Sequence, residues 1–288
     1  MRRMDLQATV GPGSVISYAE AGDPGGRPVV FLHGSPVSRL QVGGLVAEAA
    51  ERRGLRIIAP DRPGIGISTF HRYTVVSYVD ELRSFVDALG IDRFAILAYS
   101  GGGRYGYACA WRMPDRVTRL VSLSSTSSSD LAGTKEAWSR QDRQAYRLAS
   151  RLPWVMDLYL RRVGRQLEAG DTSGLLDMFP ALPPSDAAAL ERDDVRETLR
   201  TSILEALRQG PRGARHDYAL EGRPWGVPLG EIEVPVELWH GQDDRMASPE
   251  QGRILGNALP DVSRHFLEGE GHLSIAVNRL DEIFASVG

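Results

Sequence analysis

The residues best suited to chemistry sit in the run Ala98-Tyr99-Ser100-Gly101-Gly102. It fits the nucleophile-elbow pattern G-x-S-x-G, with alanine in the first place. The pattern needs small residues because the chain reverses tightly from strand to helix, and larger side chains would clash. The turn holds the serine strained, with its Oγ projecting. The helix N-terminus behind it offers free N–H groups and the positive end of a dipole. A serine hydroxyl at its ordinary acidity is a poor nucleophile and needs a base, itself oriented by an acid. Both stand downstream. Asp243 and Asp244 end the run 238–244 (LWHGQDD), and His272 ends the run 268–272 (EGEGH). The order Ser, Asp, His in such a context points to acyl transfer. By itself the pattern also describes a plain serine in a glycine-rich turn, so the elements around it decide.

Those elements alternate. Residues 28–33, 55–59, 94–98 and 117–123 are short apolar runs, and helical spacing separates them. Val75, Val79, Leu82, Val86 and Leu89 mark one such helix, which Gly90 stops. Strands separated by helices of this length read as parallel βαβ units. The rhythm then fails. From about 124 to 233 no convincing buried strand is present, and helical stretches fall near 134–150, 153–168, 185–192 and 194–209. The β pattern returns at 234–240, with a helix near 249–258, a strand near 263–267 and a last helix from 273. The expected fold is α/β, a mostly parallel central sheet flanked by helices. Residues 1–126 and 232–288 form its core, and 127–231 form a helical cap.

Composition narrows the function classes. Of 288 residues, 42% are hydrophobic and 25% charged, which excludes wholesale disorder. With 34 basic and 37 acidic residues, nucleic acid is not an expected partner. Cys109, the single cysteine, excludes an internal disulfide and a cysteine-rich metal site. His71, His216 and His265 show no ligand spacing, so no metal is expected. Gly101-Gly102-Gly103 lacks the spacing and the lysine of a phosphate-binding loop. Arg104 behind it reads as a helix-surface charge. No apolar h-region follows Arg2-Arg3, and no stretch of about 18 apolar residues exists. A cytoplasmic protein that touches no membrane is the expectation.

Taken together, the motifs resemble the α/β-hydrolase superfamily over nearly the whole chain. His33-Gly34-Ser35-Pro36 resembles its H-G-x-P oxyanion loop, and 61–68 (DRPGIGIS) its D-x-P-G-x-G-x-S loop. Gly241-Gln242-Asp243-Asp244 resembles G-x-x-D, and Gly271-His272 the terminal G-H. The departure is Ala98 where glycine is usual. The resemblance implies Ser100 as nucleophile, His272 as general base and then acid, and Asp244, the fourth residue of G-x-x-D, as its orienting acid. It implies the backbone N–H groups of Ser35 and Gly101 as the oxyanion hole, and His33 as support for that loop.

Serine at the elbow disfavours the haloalkane dehalogenases and epoxide hydrolases of the superfamily, which use aspartate there. Proline-iminopeptidase-like activity is disfavoured because the elbow lacks the tryptophan expected in it. The implied reaction is hydrolysis of a carboxylic ester or related acyl compound, without cofactor or metal. The alternatives are a C–C bond hydrolase, lactonase, thioesterase, amidase, acyltransferase or perhydrolase with the same triad. Two further ones are a non-turnover ligand receptor and a cofactor-free lyase or oxygenase. Trp138, Trp154, Met156, Tyr159, Met178 and Phe179 in the cap suggest a small-molecule substrate with an apolar body. Tyr99 and Ser35, flanking the expected oxyanion site, are candidates to touch it.

Overall fold

Predominantly apolar runs form the middle of an eight-stranded sheet, because helices cover both of its faces. The computed structural model describes residues 2–171, 175, 178 and 182–287. The strands are β1 (Arg2–Gly11), β2 (Ser14–Gly22), β3 (Arg27–Leu32), β4 (Leu55–Pro60), β5 (Phe94–Tyr99), β6 (Val117–Leu123), β7 (Val236–Gly241) and β8 (Val262–Leu267). Their spatial order is β1-β2-β4-β3-β5-β6-β7-β8. All pairings from β4 to β8 are parallel. The β1–β2 and β2–β4 pairings are antiparallel. The sheet is therefore mostly parallel, as expected, with an N-terminal antiparallel hairpin that the apolar runs do not announce. In β1 only alternate residues, Met4, Leu6, Ala8 and Val10, turn inward.

On one face lie α2 (Tyr78–Ala88), α3 (Gly103–Arg112) and α10 (Pro249–Ala258), through Leu82, Phe85, Tyr105, Cys109 and Leu255. The other face carries α1 (Gly44–Arg52), α11 (His272–Asn278) and α12 (Leu280–Ala285), through Ala49, Ala50, Ile275, Ile283 and Phe284. Between β6 and β7 the chain is helical: α4 (Thr134–Ala137), α5 (Arg140–Arg151), α6 (Pro153–Glu168), α7 (Pro184–Glu191), α8 (Asp193–Ala206) and α9 (Arg212–Glu221). These inserted helices bury a core of their own. Val163, Leu167, Leu190, Leu199 and Ile203 meet Val37 and Leu273 from beside the sheet. Helix α9 lies in a stretch without a clear apolar period, because its buried face includes Asp217 and Glu221. Among the described residues no helix is long and apolar enough to cross a membrane.

Candidate active site

Strand β5 runs directly into the turn that carries Ser100. The serine has φ of 53°, in the left-handed region that costs an ordinary side chain on the order of 1–3 kcal/mol. Two glycines explain how the turn fits. A Cβ on Gly102 would lie 2.2 Å from the Leu32 carbonyl oxygen, so only glycine lets the turn press against β3. A Cβ on Gly106 would come 2.8 Å from the Ala98 Cβ, so that bare position in α3 makes room for the extra methyl at Ala98.

Ser100 Oγ stands 3.0 Å from His272 Nε2, and His272 Nδ1 stands 2.7 Å from Asp244 Oδ2. The other oxygen of Asp244 accepts the backbone N–H groups of Met246 and Ala247, each at 2.9 Å. Asp244 is buried, whereas Asp243 is exposed. Burial alone would raise the Asp244 carboxyl, but the His272 charge and bonds from His240 and His272 hold it well below the usual carboxylate range. Burial pulls His272 the other way, downward, and the charge and hydrogen bond of Asp244 override it, leaving the imidazole more basic than usual. Such a chain can draw a proton from the serine and stabilise the imidazolium that results.

Two buried aspartates from the inserted helices hold the loops on either side. Asp186 in α7 accepts the N–H groups of His272, Leu273 and Ser274 at 2.9, 3.0 and 2.9 Å, which fixes the start of α11. Asp217 in α9 accepts Ser35 Oγ at 2.7 Å. It also accepts Arg62 Nε at 3.0 and 3.1 Å, Arg104 Nη2 at 2.7 Å and the Tyr105 hydroxyl at 2.7 Å. Arg62 in turn donates to the carbonyls of His33 and Gly34 at 2.6 and 2.7 Å. His33 Nδ1 lies 2.8 Å from the Gly34 oxygen, so this imidazole supports the loop as expected. The loop meets the elbow: a Cβ on Gly101 would fall 2.6 Å from Ser35 Oγ, and Ser35 borders the same cavity as Ser100 and His272.

Removing Asp217 leaves two guanidiniums, each at most 1% exposed, with their shared carboxylate gone. Asp217→Ala is expected to destabilise the protein by about 3–5 kcal/mol. A urea unfolding midpoint close to that of the parent protein would contradict this.

The cavity over Ser100 has a volume of about 500 Å3. Met156 and Met178 line it, as the sequence suggests. The rest of the lining is mixed. Tyr146, Tyr159 and Tyr218 share it with Asp142 and Glu221. Burial pushes the Asp142 carboxyl up to about 7. It also raises that of Glu221, against the opposing charge of Arg104.

Three expected contacts are not made. Tyr99 is buried behind His272, not exposed beside the nucleophile; its hydroxyl donates to the His272 carbonyl at 2.9 Å and its ring is 5.2 Å from the imidazole. Trp154 points outward, 67% exposed, because its side of α6 faces away from the inserted core. Trp138 does not line the cavity and packs edge-on against Tyr146, at 5.0 Å between ring centres. Phe179 lies outside the described residues. Arg104 is no surface charge; it is fully buried between Asp217 and Glu221. Sequence reasoning also misses Asp186, Asp217 and Glu221. Isolated carboxylates in helices read as solvated, and only the fold brings them beside arginines and free N–H groups.

Comparison with known proteins agrees with this architecture. The family described as alpha/beta hydrolase fold matches residues 27–278. A proline iminopeptidase of Lactobacillus delbrueckii subsp. lactis is 26% identical over 272 residues, covering 85% of this chain and 84% of that protein. The esterase RhEst1 from Rhodococcus sp. superposes with a TM-score of 0.71 at 20% identity, covering 99% of this chain and all of the other. An enol-lactonase from Burkholderia xenovorans gives 0.68 at 19% identity, covering 97% of each chain. A match of this extent, on a sheet of this order, establishes that the chain belongs to the alpha/beta hydrolase fold family.

Proposed function

We propose that the protein is a serine hydrolase that cleaves a carboxylic ester or related acyl compound through an acyl-enzyme. The observation that carries this reading is the Ser100–His272–Asp244 chain, at 3.0 and 2.7 Å, opening into a cavity of about 500 Å3. Ser100 Oγ attacks the carbonyl carbon while His272 Nε2 takes its proton. The N–H groups of Ser35 and Gly101 receive the oxyanion, and donors of this kind are typically worth about 3–4 kcal/mol each. The carbon–oxygen bond then breaks, and the alcohol leaves with the proton held by His272. Water attacks the acyl-enzyme as His272 takes a proton from it, and the acid departs as that proton returns to Ser100. Helices within 127–231 act as the cap that encloses a small molecule, and no cofactor takes part. Saturable turnover of p-nitrophenyl acetate and butyrate, rising as pH increases through the His272 titration, supports this. No turnover across a panel of acyl lengths would overturn it.

A second reading rests on Glu221 and Asp142. Two carboxylates in the wall of the same cavity suit a substrate that carries an amine. The likeness to proline iminopeptidases supports an amide bond next to a free amino or imino terminus. Glu221→Gln separates the readings. Under the second, its KM for proline p-nitroanilide rises by about tenfold or more, the loss of one charge-assisted contact, while ester turnover barely changes. Absence of any anilide cleavage in the parent protein leaves the ester reading alone.

A further inference from the structure

Helix α9 has two working sides. Tyr218 and Glu221 face the cavity over Ser100, whereas Arg212, Arg215 and His216 face a separate concavity of about 370 Å3. That size falls within the roughly 300–1,000 Å3 usual for small-molecule sites. Arg72 and Phe70 close it from the segment after β4, and Arg223 from beyond the helix end. Four arginines thus surround one hollow, and no Asp or Glu lines it, although acidic residues outnumber basic ones in the chain, 37 to 34. Among the described residues, Arg72, Arg212 and Arg223 have no carboxylate partner. Arg215 alone has one, Asp157 at 2.7 Å.

Like charges gathered in a concavity repel each other unless an anion joins them. The hollow is also partly organised in advance. Arg212 Cζ lies over the Phe70 ring, 3.9 Å from its centre, which limits the freedom of its guanidinium. His216 is pinned by the Tyr73 carbonyl at 2.9 Å and packs 4.7 Å from the Tyr73 ring. Burial lowers the basicity of His216, so the positive charge of the site comes from the arginines, which remain charged at any working pH.

We propose that this hollow binds the phosphate or diphosphate group of a second ligand, distinct from the acyl substrate. Planar guanidiniums matched to phosphate oxygens are the favoured chemistry for such a group. The volume leaves room for an organic body beyond the anion. The phosphate has two possible sources, a free metabolite or a lipid headgroup. Leu152 and Trp154, exposed on either side of the lining residue Pro153, supply an apolar flank that only the lipid would use.

The test is calorimetric titration with inorganic pyrophosphate and with ADP, alongside flotation with vesicles containing phosphatidic acid. The parent protein is compared with Arg72→Gln/Arg212→Gln/Arg223→Gln and with Trp154→Ala. The triple variant should keep the parent thermal midpoint and serine reactivity, because none of its positions touches the Ser100 site. Saturable binding of pyrophosphate or ADP that weakens by more than about tenfold in the triple variant supports the site and a free ligand. Vesicle binding lost in both the triple variant and Trp154→Ala supports the site and a lipid source. Failure of all three probes to bind, or binding that the triple variant leaves intact, overturns the proposal.

Discussion

In Ser100→Ala, ester turnover falls by roughly 10^6-fold in kcat while the unfolding midpoint stays that of the parent protein. The hydroxyl oxygen is the only heavy atom removed. Its hydrogen bond to His272 is the one the proposed chemistry uses, at 3.0 Å. Alanine meets the same backbone penalty as serine at φ of 53°, so the elbow keeps its shape. Any remaining rate over water would come from the N–H groups of Ser35 and Gly101 together with substrate binding. Steady-state kinetics with p-nitrophenyl esters read this directly. The result also separates the hydrolase from a reaction that uses His272 alone as base, since that reaction would survive loss of the hydroxyl.

Asp244→Asn is expected to lower kcat by about 10^4-fold without unfolding the protein. The surrounding hydrogen bonds dictate how the amide sits. Met246 and Ala247 donate to one oxygen position, which demands the amide carbonyl there. The amide nitrogen must then occupy the other position, facing His272 Nδ1. It donates to that nitrogen and forces the imidazole proton onto Nε2, where it meets Ser100 and cannot accept the hydroxyl proton. The pH profile shifts as well. In the parent protein Asp244 keeps His272 more basic than usual, so activity is lost on acidification through that raised value. Without the carboxylate the cause of the rise is gone, and the acid limb of kcat/KM moves to lower pH. An unmoved acid limb in the variant would show that some other group sets it.

The sequence makes some of this legible and hides the rest for physical reasons. Strands buried on both faces are rich in apolar residues along their length, so β3 to β7 stand out despite Arg56, Arg119 and Glu237, and the elbow, G-x-x-D and G-H motifs fall at strand ends. In the β1–β2 hairpin, β1 is half exposed and shows only an alternation of Met4, Leu6, Ala8 and Val10, while β2 is buried but mixes Ser17 and Glu20 among its apolar residues. Ser100, His272 and Asp244 are local to their motifs, and the fold brings them together. The supports of the site are not local. Asp186 and Asp217 act across 86 and 182 residues of chain, on His272 and Ser35. A carboxylate buried for such a purpose interrupts the apolar stripe of its own helix, which is why α9 escapes a search for periodicity. Pocket residues fare worst. Trp154 and Met156 stand two residues apart, about 200° around the helix, and so point to opposite sides of α6, one to solvent and one into the cavity.

The most direct test of the central claim is to react the protein with a fluorophosphonate and map the adduct by peptide mass spectrometry. The account predicts one adduct per chain, on Ser100, with loss of ester turnover in proportion to labelling and no labelling of Ser100→Ala. An adduct on another residue, or full ester turnover by protein whose Ser100 is completely labelled, would contradict it.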